Sequence, residues 1–290
     1  MDKLLIGCGY LGSRVAARWL AEGHRVFATT RSPARAEELR RQGIEPIVGD
    51  VLDPASLKQL PVVQTVCHAV GLDRAAGRSM REVYVEGLRN VLAALPSPER
   101  FLYISSTGVY GQCDGEEVDE TAATEPLEDS GQVVLAAEQQ LRERLPNSII
   151  LRFAGIYGPG RLLRRQAIAA GEPIVGDADK WLNLIHVEDG AAAVLAAEQR
   201  GQPGQVYNVC DDAPVRRRDF YTALARLLHA PEPRFVAPAP GAPLPGHERA
   251  NRRLVNRRLR QELNVTLRYP SYGEGLPASV QSAVTPQSQE

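Results

Sequence analysis

The sequence predicts an α/β protein, a doubly wound parallel sheet with a smaller C-terminal lobe. Three observations carry this. Short β-rich runs alternate with helical patterns from Lys3 to Gln199, a Gly7-x-Gly9-x-x-Gly12 turn joins the first run to the first helix, and the alternation breaks after about Tyr207. The strands are expected at 3–6, 25–29, 45–48, 65–70, 101–105, 148–153 and 183–187. The helices between them are expected at 13–22, 33–42, 81–95, 130–143 and 188–199.

Beyond Tyr207 the pattern "DFYTALARLLHA" gives one more helix, followed by "PEPRFVAPAPGAPLPG", which can sustain neither a helix nor a central strand. A basic helix is expected over 248–262, and the chain ends in a polar tail. The expected division is a nucleotide-binding domain over 1–157, continued by 183–209, a substrate lobe from 158–182 and 210–276, and a disordered tail over 277–290.

The 290 residues are enough to bury a large core. At 43% hydrophobic and 24% charged the chain is globular in composition, and no apolar run approaches the ~18 residues of a membrane span. A net charge of −1 provides no general field for nucleic acid. The N-terminus enters a strand at once, leaving no room for a signal peptide, and Cys8, Cys67, Cys113 and Cys210 lack metal-ligand spacing. These features predict a cytoplasmic protein with reduced thiols. Only Lys3, Lys58 and Lys180 among 34 basic residues are lysines, a bias that fits a GC-rich bacterial genome.

The glycine turn has a mechanical reading. Gly7 permits the tight turn, Gly9 admits a pyrophosphate to the backbone, Gly12 lets helix and strand pack closely, and Tyr10 and Leu11 complete the loop. The helix N-terminus then offers unpaired N–H groups to phosphate. About 20 residues on, an NAD site places an acid against the ribose. Here Arg31 occupies that position, with Ser32 and Arg35 nearby and no acid before Glu37. A guanidinium suits a 2′-phosphate, so NADP is favoured and NAD stays open. Asp50 and Val51 are placed beside the adenine, and Ala69 where close approach to the dinucleotide is needed. His68 is read as a packed strand residue.

With these segments in place the chain resembles the extended short-chain dehydrogenase/reductase family, the NAD(P)-dependent epimerases and dehydratases. The matching pieces are "GCGYLG", "GDVLD", "YISSTGVYG", "LRFAGIYGPGR", "IHVEDGAAAVLAA", "GQVYNVCDD" and "LRYPSYGEGL", in order along nearly the whole chain. The resemblance implies a Rossmann domain, a C-terminal substrate lobe and a small-molecule substrate, with nucleotide sugars the commonest class. It also implies a Ser/Thr after the fifth strand and a Tyr-x-x-x-Lys on the next helix. Ser106 stands at the first position, with Ser105 beside the cofactor and Thr107 following.

The pair itself is missing. Aligned through Leu135, Ala137 and Glu138, the family's helix pattern puts Ser130 at the Tyr position and Val134 at the Lys position. No Tyr lies between Tyr110 and Tyr157 and no Lys between Lys58 and Lys180, so no shift of register restores it. The chain is thus similar to atypical members that keep the cofactor fold without the standard acid/base pair. Tyr110 is the nearest tyrosine and a candidate replacement, with a wall beneath the nicotinamide as its plainer role.

Arg161 and Arg164, after the sixth strand, are candidate substrate ligands. The segment His186, Glu188 and Asp189 is read as a helix cap linking the lobes. The loop 113–129 carries eight carboxylates and is read as a solvated, mobile lid. Helices 81–95 and 130–143 offer a homodimer face of the kind relatives use. Two functions compete: an NADP-favouring oxidoreductase or epimerase/dehydratase-like enzyme with an altered proton relay, and a non-catalytic NADP(H)-binding sensor.

Overall fold

The computed structural model describes residues 1–96, 98–239, 241 and 246–281. Its centre is a seven-stranded parallel sheet. The strands are β1 (Asp2–Ile6), β2 (Arg25–Thr30), β3 (Glu45–Val48), β4 (Thr65–His68), β5 (Arg100–Ser106), β6 (Ile149–Phe153) and β7 (Val206–Val209). They lie in the order β7-β6-β5-β4-β1-β2-β3. Every residue of β4, β6 and β7 is buried, as strands covered on both faces must be.

Alternation along β1 decides which residue meets which layer. Leu5 joins the core beneath α1 (Gly12–Ala21), α2 (Pro33–Arg41) and the helix Val187–Arg200, while Leu4 and Ile6 join the opposite core beneath Gly87–Ala94 and Asp129–Arg144. In chain order we label α3 (Gly87–Ala94), α4 (Asp129–Arg144), α5 (Arg165–Ala169), α6 (Val187–Arg200) and α7 (Arg217–Leu227). The strand order reverses between β1 and β4, so a crevice opens beyond their carboxyl ends.

The seventh sheet strand is Val206–Val209, not the expected 183–187. Leu184–His186 instead pairs in parallel with Gly155–Tyr157 in a separate two-stranded ribbon. Both runs are short and fully buried, and periodicity alone cannot rank them.

The lobe has its own core, in which Tyr157, Ile168, Phe220, Leu224 and Leu276 pack together. The expected basic helix over 248–262 is broken in two. Arg253–Leu254 is a short strand paired with Glu117–Val118, and helices form only at Gly246–Arg249 (α8) and Arg257–Gln261 (α9). Leu259, Leu263, Val265 and Leu267 then pack into the sheet's core, so this part of the expected lobe belongs to the nucleotide-binding body. The same strand pairing ties down the acidic segment. Glu120 is buried there and accepts the Asn208 N–H at 2.7 Å, which is not the behaviour of a free lid. The last helix, α10 (Tyr272–Gln281), packs on α7 and takes in the first residues of the expected tail. The rest of that tail, like part of the Pro-rich connector, lies outside the described residues.

Candidate active site

The glycine turn is built as its spacing implies. Gly7 has φ +94°, and a Cβ there would stand 2.9 Å from the Ala69 carbonyl oxygen. A Cβ on Gly12 would lie 2.5 Å from the Gly7 carbonyl oxygen, so only glycine lets α1 start this close to β1. Gly9 meets nothing within 4 Å, leaving an open cradle at the helix N-terminus. Thr29 Oγ1 accepts the Gly7 N–H at 3.0 Å and fixes the loop to β2. Leu11 puts its side chain into the core and can offer a ligand only its backbone, and Tyr10 donates to the Pro159 carbonyl at 3.0 Å, stapling the turn to the lobe.

A cleft of about 370 Å³ extends from this turn, lined by Gly7, Gly9, Arg31, Asp50, Val51 and Ala69 among others. The structure therefore brings six of the expected cofactor residues to one wall. The shape and donor set suit a dinucleotide: a glycine cradle for pyrophosphate and an apolar floor at Val51 and Ala69. Asp50 uses Oδ1 to accept the Leu52 N–H at 2.9 Å, which sets the turn after β3 at the cleft wall.

One feature of this cleft was not expected. Asp73, from the loop after β4, reaches Arg31 across the cleft mouth, with Oδ2 2.7 Å from Nη2. The Arg31 guanidinium holds the Asp73 carboxyl below the usual carboxylate range. A carboxylate thus stands beside Arg31 after all, supplied by a segment 42 residues away in sequence. Arg78 lines the same cleft.

A second chamber of about 380 Å³ continues from the first at Val70. Its wall includes Ser105, Ser106, Ser130, Val134 and Tyr84. Ser130 and Val134 both line this chamber. Ser106 Oγ accepts the Gly108 N–H at 3.1 Å. Sequence reasoning passed over Tyr84 because the 81–95 pattern reads as an ordinary helix. In the structure Glu82–Glu86 forms a π-helical turn before α3. It presents Val83 to the first chamber and Tyr84 to the second. Tyr84 Oη accepts the Leu72 N–H at 3.0 Å and donates to no described residue.

Beneath this chamber runs a buried polar chain. Ser105 Oγ donates to Glu138 at 2.5 Å, so its proton is committed to that carboxylate. Arg152 clamps Glu138 with Nε at 3.0 Å and Nη2 at 2.7 Å, and donates from Nη1 to Tyr110 Oη at 3.0 Å. Tyr110 Oη in turn donates to Asn208 at 2.8 Å. Burial pushes the Tyr110 hydroxyl pKa up, with Arg152 opposing. Tyr110 is therefore held in structural bonds on both its donor and acceptor sides, which corrects its candidacy as the missing acid and favours the wall role.

Arg161 lines the second chamber and stacks on Tyr10, 5.4 Å from the ring centroid. Arg164 stands apart from the cleft, at φ +54° before α5 and 3.9 Å from Glu248, so it is not brought to the site. His68 is buried between β4 and its neighbours, and burial holds its pKa down to about 4. His186 caps α6 by accepting the Glu188 N–H, and Asp189 accepts the N–H groups of Arg268 and Tyr269, so this segment links the two bodies. Among the described residues no cluster of His, Cys, Asp or Glu could hold a metal.

Comparison with known proteins agrees with this geometry. Residues 4–210 match the model of the NAD dependent epimerase/dehydratase family. Protein YeeZ of Escherichia coli K12 is 30% identical over 248 residues, covering 80% of this chain and 85% of its own. A conserved protein of unknown function from Silicibacter pomeroyi DSS superimposes with a TM-score of 0.78 at 31% identity, covering 98% of this chain and 99% of its own. UDP-glucose 4-epimerase of Thermotoga maritima, solved with UDP-glucose, shares the fold with a TM-score of 0.79 at 19% identity, covering 97% of this chain and 98% of its own. The dTDP-glucose 4,6-dehydratase DesIV of Streptomyces venezuelae, solved with NAD, does so with a TM-score of 0.80 at 20% identity, covering 97% and 96%. Glycine turn, reversed strand order, continuous cleft and family match agree: the chain belongs to the NAD-dependent epimerase/dehydratase family.

Proposed function

We propose that the protein is an NADP-favouring oxidoreductase or epimerase-like enzyme in which Tyr84 replaces the family's missing tyrosine. Its substrate is a small hydroxyl or carbonyl compound, nucleotide sugars included. The single observation that carries the reading is the position of Tyr84. Its hydroxyl accepts the Leu72 N–H, donates to no described residue, and belongs to a side chain lining the chamber shared with Ser106 and Ser130.

The Gly7–Gly12 turn would hold the pyrophosphate, Asp50 and Val51 would border the adenine, and Arg31 and Arg78 would face the 2′-phosphate. A bound nicotinamide supplies hydride chemistry, which asks of the protein mainly position and a proton source. Ser106 holds a substrate oxygen by its hydroxyl, Val134 keeps the floor dry, and Tyr84 gives or takes the proton at that oxygen. General acid–base help of this kind contributes about 10²–10⁴-fold.

The sensor reading is favoured by one feature, the apolar Val134 at the place of a ribose-binding lysine. The test that separates the readings is turnover in wild type and Tyr84→Phe, read as NADPH consumption with aldehydes and oxo acids, as NADP+ reduction with hydroxy acids and sugar nucleotides, and as product formation where no net redox change occurs. The enzyme reading expects turnover in wild type and a loss of about 10²-fold or more in Tyr84→Phe with NADPH affinity unchanged. Turnover unaffected by Tyr84→Phe refutes the role of Tyr84, and NADPH binding without turnover on any substrate favours the sensor.

A further inference from the structure

Beyond Ser130 and Gly108 the cleft opens into a third chamber of about 270 Å³, roofed by Trp181, Leu127 and Leu182 and floored by Arg252. Three arginines are buried in this protein's described residues: Arg152, Arg217 and Arg252. Arg152 is clamped to Glu138, and Arg217 is paired with Glu248. Arg252, only 7% exposed, has no carboxylate partner among the described residues. Its Nη2 donates to the Thr107 carbonyl at 2.8 Å and its Nη1 to the Gln112 carbonyl at 3.3 Å. Arginine cannot shed its proton in a protein, and a buried charge without a counter-ion is costly. A buried charge of this kind at the wall of a cleft marks a candidate ligand site.

The guanidinium is also held in place. Asn183 donates from Nδ2 to the Arg252 carbonyl at 2.9 Å and accepts the Leu254 N–H at 2.7 Å, fixing the backbone on which Arg252 stands. The one acid of the chamber wall, Glu128, is turned to Arg249 at 3.3 Å, and Glu116 acts on Arg252 only through space, so no carboxylate occupies the guanidinium's hydrogen-bonding positions. Trp181 is itself backed by Arg216, 3.8 Å from its ring centroid, which fixes the apolar roof. The chamber volume falls below the ~300–1,000 Å³ of pockets that enclose drug-sized ligands.

The structure assigns this chamber to the anionic end of a compact substrate: Arg252 takes a single carboxylate or phosphate, while the same molecule's hydroxyl or carbonyl reaches Ser106 in the adjoining chamber. The substrate class is then a small hydroxy or oxo acid, or its phosphorylated counterpart, with an apolar body under Trp181, rather than a nucleoside diphosphate sugar. This deepens the functional reading above and rests on it for the position of the reacting oxygen.

The experiment is calorimetric titration of the full chain, with and without saturating NADPH, using 3-hydroxybutyrate, acetoacetate, inorganic phosphate and UDP-glucose as probes. Wild type, Arg252→Lys and Arg252→Met are compared, with circular dichroism to verify folding. A carboxylate or phosphate probe is expected to bind wild type, and to bind about tenfold or more weakly in Arg252→Met, with NADPH affinity unchanged. Arg252→Lys, which keeps the charge and loses the fork, is expected in between. Preference between the acids and inorganic phosphate identifies which oxyanion the site takes. NADPH binding without binding of any small oxyanion overturns this inference alone, as does oxyanion binding that Arg252→Met leaves intact or a preference for UDP-glucose. Failure of NADPH to bind would instead remove the functional reading on which it stands.

Discussion

Replacing Glu138 by Gln tests whether the polar chain under the reactive chamber is as dry as it is drawn. The Glu138 and Arg152 side chains are 1% and 5% exposed, and the carboxylate receives three donors, two from Arg152 and one from Ser105. Breaking a buried ion pair from one side costs about 3–5 kcal/mol, because the remaining charge is stranded. Gln is nearly isosteric and keeps one acceptor oxygen, which places the loss at about 2–4 kcal/mol. For a chain of this size that corresponds to a melting temperature lower by about 3–7 °C. Urea unfolding followed by circular dichroism measures it. A loss below about 1 kcal/mol would mean that water reaches the pair, and the account of Ser105 and Tyr110 as structurally committed residues would fail with it.

Other consequences are equally direct. Arg31→Ala is expected to weaken NADPH binding about 10-fold or more and leave NADH nearly unchanged, because only the phosphorylated ribose needs the guanidinium. Asp73→Asn, which releases Arg31 from its ion pair, is expected to tighten NADPH a few-fold, and equal effects on NADH would count against the assignment. Asp211 is buried at the junction of the lobes, and burial pushes its carboxyl up to about 8, with Asp212, Asp189 and Glu274 adding to the rise. The folded chain keeps a proton there that the unfolded chain releases above about pH 4, so stability declines between about pH 4 and pH 8 at up to about 1.4 kcal/mol per pH unit. Asp211→Asn is expected to flatten that slope in denaturation curves taken across the interval, and an unchanged slope would refute it.

Much of the glycine-turn cleft was legible in the chain because its causes are local. Gly7, Gly9 and Gly12 are required by contacts within a few residues or with the adjacent strand, and Arg31 follows the end of β2 directly. Ser130 and Val134 line one chamber because they stand one turn apart on α4. The illegible parts depend on segments distant in sequence. Asp73 meets Arg31 only because β4 lies beside β1, and Arg253–Leu254 is extended only because Glu117–Val118 offers it a partner. Tyr84 escaped notice because a π-helical turn leaves no mark on a 3.6-residue pattern. Tyr110 looked available for chemistry until Arg152 and Asn208 were seen on either side of its hydroxyl.

The account stands first on the glycine-turn cleft being a dinucleotide site. Titrating the wild-type chain with NADPH, NADP+, NADH and NAD+ by cofactor fluorescence and thermal shift, beside Gly9→Val, tests that claim most directly. The account predicts saturable binding with NADPH preferred over NADH, lost in Gly9→Val, whose side chain fills the open cradle while the fold persists. Absence of binding by all four dinucleotides, or binding that Gly9→Val leaves intact, would contradict it.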